Sequence, residues 1–285
     1  MLLFFLAATL ALLVAGVALP KAAPLPPAFW AHLVLAVGVM SLITAAMQHF
    51  VPVLTRSRGA GRWLSRLPWV MALAGGLATS VFVGILPWPS LALAALLALA
   101  GSLGMGVWMR AKARQTLGKP HPGLAWYVAA MLCLMLGLAA AMLIPLLPAW
   151  HTPLRAFHLH INLYGFVGLT AVGTLQVLMP TAVGRPDAEA GRRLREDLKW
   201  AVAGSLALAA GKGLELDPLA WVGLAAWLWP LWRMLAAWWR LYRKEIIAWH
   251  GQAPVLMAAT LGFVSALMLT IDGVGRASGP LAVFL

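Results

Sequence analysis

The sequence is poor in charge. Asp, Glu, Lys and Arg make up 10% of its 285 residues, against about 25% in a soluble domain. A chain of this length with so few charges cannot clothe a water-soluble fold. It holds one cysteine, Cys133, which excludes an intrachain disulfide and any paired-cysteine zinc or redox motif. Cys133 lies in mid-segment and reads as a small buried apolar residue. Acidic residues are scarcer still, 8 against 21 Lys and Arg. What fills the chain is apolar, 62% of it. Apolar runs of about 18 residues or more recur along the whole length, as in a polytopic membrane protein.

The expected fold is all-α, a membrane bundle of about nine transmembrane helices. The spans fall near 2–20, 28–54, 67–87, 90–110, 123–147, 157–181, 198–215, 218–239 and 252–273. They are separated by breaks such as "PKAAPLPP", "GKPHPG", "PAWHTP" and "GRPDAEAGRR". The weakest break is the short one at Pro218. The first run, "LLFFLAATLALLVAGVALP", lacks a basic leading region and exceeds a signal-peptide core, so it reads as a retained membrane helix.

The net charge of +13 would draw nucleic acid if it were gathered in one basic domain. It is instead distributed by side. Seventeen Lys and Arg occupy alternate connections, around Arg56–Arg66, Arg110–Lys119, Arg185–Lys199 and Arg233–Lys244. Only Lys21, Arg155, Lys212 and Arg276 lie opposite. This positive-inside bias predicts a cytoplasmic amino terminus and, with nine spans, a periplasmic carboxyl terminus. The partners it implies are anionic lipid headgroups rather than nucleic acid.

The chain repeats itself at an offset of 128. "AFWAHLVLAVGVMSLITAAMQHFVP" aligns with "AFHLHINLYGFVGLTAVGTLQVLMP", bringing His32, Gln48 and Pro52 into register with His160, Gln176 and Pro180. The organisation expected is a four-helix repeat over 1–121, a second over 122–248, and a ninth helix with tail over 249–285. Four is even, so the two copies would be parallel, related by an axis along the membrane normal. His32 and His160 would then face each other near the outer side. That is a suitable pair for axial ligation of a haem, or for holding a metal ion.

Tyr164, one turn after His160, shares its face. Gly165, Gly168 and Gly173 slim that helix, either for close packing or to leave room for a flat macrocycle, with Gly168 beside it. His158 is rotated about 200° from His160 on a continuous helix. It reads as a ligand of copper or of a second site, or as an interfacial histidine. His49, about 25 Å below His32, belongs to no outer site, but with His250 it would make a metal pair at the inner side. His151 resembles His158 more weakly, and His121 between two prolines reads as solvated. Gln48 and Gln176 read as structural, bonded to a neighbouring helix or to backbone freed by Pro52 and Pro180. Asp272, near the outer end of the last span, is a candidate for proton handling or a cofactor contact.

"FHLHINLYGF…LMPTAVGR" resembles the "HxHExxFGF…P" helix of NnrS-type membrane proteins. The match lies in His158-x-His160, in Tyr164-Gly165-Phe166, and in Pro180 twenty residues after the second histidine. More broadly the chain is similar to a short relative of haem–copper oxidase subunit I. The resemblance implies a bacterial cytoplasmic membrane protein that binds haem b, alone or together with copper, in electron transfer or nitric oxide handling. Its partner would be a redox carrier or a small gas; any enzymatic activity would be that of an oxidoreductase on nitric oxide or a small electron carrier. Ile161 stands where the family has an acid, NnrS-type chains have about twelve spans, and the histidine pairs that build an oxidase copper centre are missing. Oxygen reduction and proton pumping are therefore not implied. The alternative reading is a transporter of a metal ion or small solute, which would need polar groups at the bilayer midplane. Here they gather at the two ends.

Overall fold

The computed structural model describes residues 1–116, 118–249 and 251–273, with side chains as far as Thr270. Among the described residues the secondary structure is helical, with turns and no strand. Six helical segments are long and apolar enough to cross a membrane: Pro27–Leu54, Ser90–Gln115, Gly123–Leu143, Pro148–Val183, Asp217–Ile247 and Ala253–Thr270. By length and composition they mark the chain as a membrane protein. The chain divides into two compact units, Met1–Pro120 together with the chain from Thr270, and His121–Leu269.

The first unit holds α1 (Leu2–Ala18), α2 (Pro27–His32), α3 (Met40–Leu54), α4 (Leu67–Phe82) and α5 (Ser90–Gln115). Pro27 and Pro68 open their helices where a missing N–H costs nothing. Between α2 and α3 the rod does not break but widens into a π-helix, π1, over Leu33–Val39. The backbone of α4 lies directly against π1. A Cβ built on Gly75 would stand 2.5 Å from the Ala36 carbonyl carbon and 2.6 Å from the Val37 nitrogen.

Gln48 on α3 donates through Nε2 to the Leu64 carbonyl at 2.5 Å, fastening α3 to the turn that precedes α4. This is the structural use expected of that glutamine. Gln48→Leu is expected to cost about 1 kcal/mol, read as a fall of a few degrees in the thermal transition of the detergent-solubilised protein.

The second unit holds α6 (Gly123–Leu143), α7 (His151–His160), a second π-helix π2 (Ile161–Gly168), α8 (Leu169–Val183), α9 (Ala190–Gly213), α10 (Asp217–Ile247) and α11 (Ala253–Gly273) as far as Leu269. α7 starts at His151, six residues before the span read from the sequence. Pro153 falls in its first turn, where proline is tolerated. His158 therefore lies inside a helix and not in a loop. α8 ends at Gly184, whose φ of 70° is a left-handed helix stop.

α9 and α10 form a tight hairpin in which a Cβ on Gly204 would stand 2.6 Å from the Trp227 nitrogen. At the charged end of that hairpin Arg233 bridges Asp197 and Glu196, Arg193 pairs with Asp187, and Arg185 pairs with Glu245 at 2.9 Å.

Outward faces are apolar: Leu73, Leu96 and Val107 in the first unit, and Leu132, Val222 and Val255 in the second, are exposed. Such faces suit lipid. Buried hydroxyls are satisfied inside their own helices. Thr44 donates to the Met40 carbonyl, Ser102 to Ala98, Thr170 to Phe166 and Ser205 to Ala201. These four hydroxyl protons are therefore paired in a medium that offers no water.

Candidate functional site

Two histidines are presented in the same local way, one in each unit. His32 is the last residue of α2 and π1 follows it at once. Its Nδ1 lies 2.8 Å from the carbonyl of Ala28, four residues back. His160 is the last residue of α7 and π2 follows it at once. Its Nδ1 lies 2.8 Å from the carbonyl of Ala156, again four residues back. A carbonyl only accepts, so in each ring Nδ1 carries the proton and Nε2 keeps its lone pair. That tautomer, with Nδ1–H held by a carbonyl, is the one metal-ligating histidines adopt.

The surroundings of the two differ. His32 is half-buried, its ring 4.6 Å from that of Phe82. His160 is fully buried, and its Nε2 has no hydrogen-bond partner. An unpartnered ring nitrogen out of reach of water is costly, and coordination to a metal would satisfy it. The donor chemistry at His160 thus fits an imidazole ligand of haem iron, and His32 shares its Nδ1 anchoring.

Tyr164 lies near-parallel to His160, with ring centroids 6.3 Å apart and 11° between the planes. Its hydroxyl donates to the Leu267 carbonyl at 2.6 Å, and its own carbonyl accepts from Trp227 Nε1 at 3.0 Å. The glycines of this rod are used for packing. A Cβ on Gly168 would stand 2.7 Å from the Trp227 ring, and Cys133 and Trp126 fill the same role at Gly165 and Gly173.

His158 points elsewhere. Its Nδ1 is 2.7 Å from the Gly137 carbonyl, and Asn162 Nδ2 donates to the His158 carbonyl at 2.8 Å. His49 is exposed, with its ring 5.2 Å from that of Phe50. His250, its expected companion, lies outside the described residues, as does the side chain of Asp272. Among the described residues no three His, Cys, Asp or Glu side chains come together as a metal site. A haem iron needs at most two protein ligands, so its requirement differs from that of a copper ion held by protein alone.

No family model, curated protein or solved structure matches the chain.

The two π-helices have no counterpart in the sequence reading, which treated each rod as uniformly α. A π-helix turns less per residue than the about 100° of an α-helix. Helical counting from His160 to Gln176, or from His32 to Gln48, therefore loses phase. π segments concentrate at functional sites, and both occur immediately after the two histidines singled out by the internal repeat.

Proposed function

We propose that the chain is an integral membrane haem protein in which His32 and His160 are each an imidazole ligand of haem b through Nε2. The observation that carries this is the repeated presentation of the two histidines. Each closes an α-helix, ties Nδ1–H to the carbonyl four residues back, and enters a π-helix. The offset between them is the 128 residues of the internal repeat. The shared arrangement supports descent of the two halves from one four-helix unit, which would make α11 a ninth span; the distribution of Lys and Arg favours an amino terminus on the cytoplasmic side.

Haem supplies a one-electron iron couple. The chain contributes the tautomer, by holding Nδ1–H, and at His160 the exclusion of water. It further holds the rod after His160 in place, through Tyr164 on Leu267 and Trp227 on the Tyr164 carbonyl. Ligation of an iron by two histidines would favour electron transfer, and by one histidine gas binding.

The test is an absorption spectrum of detergent-purified protein from haem-replete cells, with and without reductant. The wild type is expected to show a Soret band that is lost in His32→Ala and in His160→Ala and retained in His49→Ala and His151→Ala. A colourless wild type, or full haem content in both ligand variants, overturns the proposal.

A further inference from the structure

We propose that the second unit contains a binding site for an uncharged, lipid-soluble ring bearing carbonyl or hydroxyl groups, the chemistry of a quinone and its quinol, in a cavity at the end of α8. The cavity is an open cleft with a volume of about 400 Å³, within the roughly 300–1,000 Å³ of small-molecule sites. His121, Gln176, Pro180, Thr181, Asp187 and Ala190 are among its walls.

Gln176 makes it a site. The residue is fully buried, and neither its amide nitrogen nor its amide oxygen has a hydrogen-bond partner. Its counterpart in the repeat, Gln48, spends its nitrogen on the Leu64 carbonyl; Gln176 has no such use. An amide buried without partners is destabilising, and a ligand carrying both an acceptor and a donor would satisfy both ends.

The other walls define what that ligand is. His121 Nδ1 accepts from the Gly123 N–H at 3.1 Å, so Nε2 carries the proton and is a second donor. Burial and the nearby Arg195 push this imidazole below its ordinary value, leaving it neutral at pH 7. Thr181 gives its proton to the Val177 carbonyl at 2.8 Å and keeps acceptor capacity. Asp187 is neutralised by Arg193 and also accepts from the Glu189 N–H at 3.0 Å. The one charged wall residue, Asp187, is thus paired, which leaves the wall itself without an unpaired charge for an ionic ligand to meet.

Val177, Pro180 and Ala190 supply apolar wall. The donors of Gln176 and His121 suit a ring carbonyl, and the acceptors of Gln176 and Thr181 suit a ring hydroxyl. Because an amide presents both, one residue serves both forms of a ring that interconverts between them.

The experiment is a calorimetric titration of the full chain in detergent with a short-tailed benzoquinone, with benzoate as the charged ring of similar size. Saturable quinone binding is expected, weakened by ~10-fold or more in Gln176→Leu and in His121→Phe, with no competition from benzoate. Since Gln176 gives no hydrogen bond to the fold, Gln176→Leu is expected to leave the Tm unchanged or raise it. Absence of saturable binding, equal affinity in both variants, competition by benzoate, or a lowered Tm in Gln176→Leu each overturns the proposal. Calorimetry does not require bound haem, so a colourless protein that binds the quinone defeats the haem assignment and leaves this one standing.

Discussion

Arg233→Met is expected to destabilise the chain by about 3 kcal/mol, at the lower end of the cost of breaking a buried ion pair. Asp197 is completely buried, and Arg233 is its ion-pair partner while also reaching Glu196 at 2.8 Å. Remove the guanidinium and the Asp197 carboxylate is left charged in a place without water. The Arg233 side chain is 25% exposed, so solvent screening keeps the loss near that lower bound. Asp197 Oδ2 has no hydrogen-bond partner, so the Arg233 guanidinium supplies the hydrogen bond to this carboxylate. The double variant Asp197→Leu with Arg233→Met is expected to recover most of the loss, because it removes the stranded charge. Thermal unfolding of the three proteins in one detergent reads both effects. Equal stability of Arg233→Met and wild type would mean that the pair contributes nothing to the α9–α10 hairpin.

Gly75→Ala carries the second large effect, about 1–3 kcal/mol of destabilisation from overpacking. The new methyl would meet backbone at 2.5 and 2.6 Å. Backbone cannot swing aside as a side chain can, so α4 must move away from π1. Since π1 follows His32 directly, haem content should fall along with stability. Its neighbour supplies the control: a Cβ on Gly76 would meet nothing within 4 Å. Gly76→Ala should be neutral or stabilising by up to about 1 kcal/mol through helix propensity. If both substitutions behave alike, the close contact between α4 and π1 is not the cause.

Long apolar periods were the most legible feature of the sequence. The helix from Pro27 to Leu54 and the one from Gly123 to Leu143 stand close to where hydropathy placed them, because lipid rewards an uninterrupted apolar run whatever its neighbours do. The start of α7 was illegible. "PAWHTP" reads as a break, yet Pro153 fits a first turn. α9 also begins early, at Ala190: its charged first turns are settled by the local pairs of Arg192 with Glu189 and Glu196 and by the pair of Glu196 with Arg233, which no local pattern reveals.

The offset of 128 residues singles out the two histidines in the sequence; how they are held is not legible there. π1 and π2 leave no periodic trace, and the close backbone of α4 at Gly75 beside π1 leaves none either. Gln48 and Gln176 show the limit most clearly. They are the same residue in the same register, and they part company only because Leu64 comes within reach of one and a cavity adjoins the other.

The most direct measurement of the central claim is the electron paramagnetic resonance spectrum of the oxidised, purified protein. A low-spin ferric signal from imidazole-ligated haem is expected in the wild type, giving way to high-spin or lost signal in His32→Ala and in His160→Ala. A high-spin ferric signal in the wild type, unaltered by either substitution, would contradict the assignment of these two histidines to the iron.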